Sequence, residues 1–295
     1  MEKMSLLVLK SISLLLLILC ILLYKWKKDF LLTLISNALS TPDQNFQIYL
    51  AFGQSNMEGF GIIEAQDQQC DERFKMMAAI DMPQSGRKKH KWYTATPPIC
   101  RDDTGLSPCD YFGREMVKNL PEEIKVGIIN VAVAGCGIEL FDEEKRLEYL
   151  STADDFVKNH SRPYDDNPYK VLVEAGKKAQ KYGVIKGILL HQGESNTGDE
   201  NWPNDVKKIY EKLLFDLGLN GDKVPLLVGE VINSSVGGLC GEHNAIIAKV
   251  PNVIPNSYVV SSENLESRGD FIHFSAASYR EFGKRYAQIM LGLIK

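Results

Sequence analysis

The sequence predicts an α/β fold, a three-layer, doubly wound sheet of five parallel strands within residues 47–295. Three observations predict it. Five short runs are apolar throughout rather than alternating, as in strands buried on both faces. Most are separated by stretches with apolar residues every three or four positions, the pattern of amphipathic helices. Polar clusters follow the strands instead of preceding them, and in such sheets the functional crevice lies beyond the strands' carboxyl ends.

Taken in order, the first strand is Gln47–Gly53, which breaks at a glycine into Gln54-Ser55-Asn56. Residues 62–107 carry no clear periodicity and are rich in Asp, Pro, Gly and Lys, so they read as a long excursion over one face. Pro108–Leu120 reads as a helix with Ser107 as its N-cap and proline at its first position. Lys125–Val133 is the second strand and breaks at Ala134-Gly135-Cys136-Gly137. A helix over Tyr169–Tyr182, closed by Gly183, leads to a third strand, Ile185–Leu190. Next come a helix at Trp202–Leu217 ending on Gly218, a strand at Pro225–Ile232 and a helical stretch at Leu239–Val250. Ser257–Ser261 is the last strand. Ser275 caps the final helix, whose apolar stripe is Ala276, Tyr279, Phe282, Tyr286, Ile289 and Leu293.

The chain has 295 residues, 44% of them hydrophobic and 24% charged, enough for one larger domain that needs no disulfide staples. A net charge of −4, with no basic patch beyond the N-terminus, argues against nucleic acid as a partner. Residues 1–29 form a separate leader, and residues 30–46 a linker. From Ser5 to Tyr24 the leader is dominated by Leu, Ile and Val, interrupted by Lys10 and followed by Lys25, Lys27 and Lys28. That length just suffices for a bilayer, so export is expected, whether the protein is secreted, periplasmic or held to a membrane. A cleaved signal and an uncleaved anchor both remain open. The five cysteines outside the leader are an odd number, which forbids a complete disulfide framework, although Cys100 and Cys109 bracket a short loop and could pair. No C-x-x-C pair exists and the five histidines show no metal-ligand spacing, so no zinc site is expected.

Ser55 sits where a strand hands over to a turn, a position that exposes both its hydroxyl and its backbone N–H, as a nucleophile requires. Taken alone, Gly53-Gln54-Ser55-Asn56 is equally the composition of an ordinary turn. Asp270-Phe271-Ile272-His273, just ahead of the last helix, lets a carboxylate fold back onto an imidazole and leaves Nε2 to take a serine proton. Singly, a surface histidine beside an acid explains that motif as well. Both motifs follow strands, as do Gly135-Cys136-Gly137 and His191-Gln192-Gly193-Glu194-Ser195-Asn196, so the fold brings all four to one edge. His191 reads first as a core histidine and Asn56 as a turn former. Trp92 and Tyr93 are either surface aromatics or a platform for a sugar ring. Asn159 and Asn233 head N-x-S sequences too short to decide glycosylation.

In combination, GQSNM at 53–57, VAVAGCGIELF at 131–141, HQGESN at 191–196 and DFIHF at 270–274 resemble the SGNH/GDSL hydrolases. The likeness is to the branch of carbohydrate esterase family 6 acetylxylan esterases and sialate O-acetylesterase-like proteins. It runs from about Gln47 to the C-terminus, with the motifs in the same order. The resemblance implies a flavodoxin-like sheet and a serine esterase acting on an O-acetylated carbohydrate without metal or cofactor. It implies Ser55 as nucleophile, His273 as general base and Asp270 as its orienting carboxylate. The oxyanion hole it implies combines the Ser55 N–H, a glycine N–H and the side-chain amide of Gln192, where most SGNH enzymes carry asparagine. The glycine is Gly135 or, two residues on, Gly137. Glu194 matches a residue of the branch and is either a second carboxylate assisting His273 or a loop anchor.

Overall fold

Ile48, Leu50 and Phe52 point to one side of the first strand and Tyr49 and Ala51 to the other, and all five are fully buried. A strand covered on both sides belongs at the centre of a sheet with helices on each face, and that is its position here. The structure, a computed structural model, describes residue 19, residues 22–28 and residues 41–294. Most of the expected leader and linker falls outside the described residues, and among the described residues no helix is long and apolar enough to cross a membrane.

The unit from Pro42 onward holds one sheet. Its strands are β1 (Phe46–Gly53), β2 (Phe74–Met77), β3 (Trp92–Thr94), β4 (Lys125–Ala132), β5 (Val184–His191), β6 (Leu226–Gly229) and β7 (Ser257–Val260). They lie in the order β3-β2-β4-β1-β5-β6-β7, parallel throughout except for the β2–β3 pair. The helices are α1 (Ser55–Glu58), α2 (Pro108–Asn119), α3 (Arg146–Thr152), α4 (Asp155–Ser161), α5 (Pro168–Ala179), α6 (Trp202–Leu217), α7 (Asn244–Ile247), α8 (Val250–Val253) and α9 (Ala276–Leu293). Phe112 of α2 with Tyr279, Phe282 and Tyr286 of α9 covers the Tyr49 face, while Leu172 of α5 with Trp202, Ile209 and Leu213 of α6 covers the Ile48 face. The doubly wound α/β architecture is thus as expected.

The sheet has seven strands where five were expected. The two additions come from the stretch without periodicity, because β2 is four residues long and β3 three, too short to write a pattern. β2 is held by pairing with the buried β4, and β3 is a half-buried antiparallel edge. Trp92 therefore packs on Phe46 at the start of β1, with ring centroids 4.8 Å apart, and the Tyr93 hydroxyl accepts from the Lys88 N–H. Neither is a platform at the strands' carboxyl ends. The expected Leu239–Val250 helix is broken into a 3-10 turn and α7, followed by α8. Cys100 and Cys109 do not pair: the first lies beside the Tyr164 hydroxyl and the second beside the Met57 sulfur.

Because β1 lies between β4 and β5, the chain runs to one side of it and then crosses to the other, which makes the end of β1 the switch point. Gly53 closes β1 there at φ +152°, and a Cβ on it would meet the His191 carbonyl oxygen at 1.9 Å. The Gln54 N–H donates to that same carbonyl at 3.0 Å, and the Val133 N–H donates to the Gly53 carbonyl at 3.0 Å. These backbone bonds clamp the turn to the chain on both sides of β1. Gly53→Ala should therefore lower unfolding free energy by at least about 1–3 kcal/mol, the usual cost of overpacking, read from denaturant melts. An unchanged midpoint would contradict the close approach.

Candidate active site

Ser55 is the first residue of α1, so its own N–H has no carbonyl one turn back to receive it. The residue is 4% exposed, and α1 is pinned beneath it by the Asn130 side chain of β4, whose Nδ2 donates to the Met57 carbonyl at 2.7 Å. Across the crevice the chain bends back on itself between Ser267 and Phe274, with the Arg268 N–H donating to the His273 carbonyl at 2.9 Å. Within this bend Asp270 Oδ1 accepts from the N–H groups of Ile272 (3.0 Å) and His273 (2.8 Å), and Phe271 adopts φ +62°. The side chain of an aspartate bonding its own following backbone is what fixes such a turn.

That turn delivers the imidazole to the serine. His273 Nε2 lies 2.9 Å from Ser55 Oγ, and His273 Nδ1 lies 2.8 Å from Asp270 Oδ2. Burial opposes ionisation of Asp270, but hydrogen bonds from His273, Ile272 and Arg268 outweigh it and hold the carboxyl well below the ordinary carboxylate range. An ionised carboxylate only accepts, so Nδ1 carries the proton and Nε2 of the neutral ring faces the hydroxyl as an acceptor. Ser55 is thus brought to the Asp270–His273 pair from more than two hundred positions away in sequence.

These groups open on a cavity of about 270 Å³ whose apolar wall is Phe60, Ala134, Phe156, Cys240 and Ile272. Ser55 and Gly135 both line it, and neither backbone N–H has a partner among the described residues. Gly135 holds φ +72°, a left-handed conformation suited to glycine. The Gly137 N–H is already given to the Tyr149 hydroxyl at 2.7 Å, so of the two glycines only Gly135 has a donor to spare.

Gln192 does not present its amide to this cavity. Its Nε2 donates to Asn196 Oδ1 at 2.6 Å and to Gln54 Oε1 at 3.0 Å, and its Oε1 accepts from the Trp202 indole. A side chain so committed has no hydrogen left for an oxyanion, and the expected role is corrected on that ground. The amide that faces the cavity is Gln54, one residue before the serine. Its Oε1 is held by Gln192 Nε2 and the Ser195 N–H, while its Nε2 has no partner among the described residues. The position was legible only as a turn former, because nothing in sequence tells which end of an amide a loop will bind.

Glu194 shares the cavity wall with His273, but no hydrogen bond or ion pair joins the two among the described residues. Its Oε1 accepts from Asn56 Nδ2 at 2.5 Å and stands 3.7 Å from His191 Nδ1. Asn56 also donates to the Ile272 carbonyl (2.9 Å), and its Oδ1 accepts from the Phe274 N–H (3.2 Å) and the Tyr279 hydroxyl (2.6 Å). Asn56 and Glu194 together tie the serine turn, the β5 loop and the histidine bend to one another. His191 is wholly buried, with Nε2 3.0 Å from the Glu230 carbonyl oxygen, and burial pushes its pKa down. A larger cavity of about 460 Å³ lies between α6 and the residues after α8, and contains no serine, cysteine or histidine.

Solved structures share this fold at low identity. A protein of Arabidopsis thaliana is 19% identical, with a TM-score of 0.65 over 85% of this chain and 99% of its own. NanS is 17% identical, with a TM-score of 0.62 over 86% and 98%. A carbohydrate acetylesterase from Xanthomonas citri is 17% identical, with a TM-score of 0.57 over 83% of this chain and 56% of its own. At the level of sequence, residues 45–292 match a family model described as carbohydrate esterase, sialic acid-specific acetylesterase. The match takes in the strands, the serine turn and the histidine bend alike, and the chain belongs to that family of carbohydrate esterases.

Proposed function

We propose that the protein is a serine esterase that removes O-acetyl groups from a carbohydrate through an acetyl-enzyme, with Ser55, His273 and Asp270 as its catalytic residues. The observation that carries this reading is the unbroken chain Ser55 Oγ to His273 Nε2 (2.9 Å) and His273 Nδ1 to Asp270 Oδ2 (2.8 Å), opening on a small apolar-walled cavity. The family's description makes O-acetylated sialic acid the first substrate to try, with acetylated xylan beside it.

In the first step Ser55 Oγ bonds to the acetyl carbonyl carbon as its proton passes to His273 Nε2. Negative charge on the carbonyl oxygen is met by the N–H groups of Ser55 and Gly135 and by Gln54 Nε2, donors fixed before the substrate arrives. The imidazolium, steadied by Asp270, then gives its proton to the departing sugar oxygen. Water repeats the sequence from the other side: it loses a proton to His273, bonds to the acetyl carbon, and Ser55 leaves with that proton as acetate is released.

Ser55→Ala and His273→Ala should each lower kcat/KM on p-nitrophenyl acetate by several powers of ten, because the members act as a unit. Near wild-type turnover in either variant would refute the assignment. Gln54→Glu keeps the acceptor oxygen that the loop uses and removes the donor, so kcat should fall about 10²–10³-fold. A loss of less than threefold would remove Gln54 from the oxyanion hole. Acetate release from O-acetylated sialic acid and acetylated xylan should exceed release of longer acids from matched p-nitrophenyl esters. Faster turnover of long acyl chains would instead favour a lipase or thioesterase.

A further inference from the structure

The carboxylate oxygen that accepts the imidazole N–H hydrogen bond is shared. Asp270 Oδ2 accepts from His273 Nδ1 at 2.8 Å and from Arg268 Nε at 2.7 Å. The same arginine reaches the imidazole by a second route, through Phe60. The Phe60 ring stacks on the His273 ring at 4.3 Å with 7° between planes, and the Arg268 guanidinium carbon lies 5.2 Å from the Phe60 centroid. Asp270, His273, Phe60 and Arg268 thus close a ring of contacts around the general base. None of the four motifs that carry the family resemblance includes Arg268 or Phe60.

We propose that Arg268 is a positioning residue that sets the pH range in which His273 works as a base. This rests on the reading of His273 as that base. A guanidinium on Asp270 draws off part of the negative charge that would otherwise favour the imidazolium, so it opposes protonation of the resting enzyme and keeps Nε2 free at lower pH. The packing on Phe60 holds the ring plane while this happens, which separates orientation from charge. Other charged and titratable groups face the pair. Glu194 lines the cavity with His273, and His191 stands behind Glu194. Glu58, Arg101, Asp103 and His160 line a neighbouring cavity with Arg268, where Glu58 and Asp103 both pair with Arg101. Those groups are common to every variant below, so a difference between variants reports Arg268.

The test is the pH dependence of kcat/KM on p-nitrophenyl acetate for the wild type, Arg268→Gln and Arg268→Lys, with melting curves to establish that each variant is folded. Arg268→Gln should move the acid limb upward by about half to one pH unit, so that kcat/KM below the limb drops about three- to tenfold relative to the plateau. Arg268→Lys, which keeps the charge, should return most of that shift. Because the Arg268 side chain is 45% exposed, raising ionic strength should move the wild-type limb toward that of Arg268→Gln. An unmoved limb in a folded Arg268→Gln would overturn the proposal, as would equal shifts in both variants, since the second would mean shape and not charge. A raised KM for an acetylated sugar with the limb unmoved would reassign Arg268 to substrate binding and overturn it too. Failure of the triad itself is read separately, from His273→Ala, which would then stay active.

Discussion

The carboxylate of Asp270 is the constraint on which the site depends. It accepts from two backbone N–H groups, one imidazole and one guanidinium, and each bond does a different job. The backbone bonds shape a bend that places Phe271 at φ +62°, a conformation that costs a bulky residue something and persists only where its surroundings impose it. The imidazole bond selects the tautomer. Because the group is only a third exposed and held ionised, all four bonds are charge-assisted, which makes them shorter and stronger than neutral ones.

On the opposite side of the crevice the serine is held by quite different means. Its turn is fixed by backbone contacts with β4 and β5, and no side chain could stand at Gly53 without displacing the His191 carbonyl. The two halves meet through Asn56, whose amide spans from Glu194 to the Ile272 carbonyl and whose oxygen takes the Phe274 N–H and the Tyr279 hydroxyl. With the serine on a rigid sheet and the histidine on a bend tied to it by a buried amide, the distance between the proposed nucleophile and its proposed base is set by scaffold rather than by loop motion.

Much of this could be read before any coordinates. The apolar runs at β1, β4, β5, β6 and β7 place the parallel sheet, the serine motif stands at the end of β1, and the D-x-x-H motif follows β7 on the bend before α9. What could not be read was short or depended on partners. β2 is held by its pairing with β4, β3 is a half-buried three-residue edge, and α7 and α8 are four residues each, too short to write a periodicity. Gln54 lines the cavity while Gln192 is bound away from it, because an amide can turn either end to its neighbours and only the surrounding donors and acceptors decide. Arg268 carries no motif at all, and its meaning lies in sharing an oxygen with His273.

The most direct test of the central claim is covalent trapping. After treatment with a serine-directed phosphonate, peptide mapping should find a single adduct on Ser55, absent when His273 is replaced by alanine. Labelling at Ser195 or elsewhere in place of Ser55, or no adduct on a folded protein, would contradict the account.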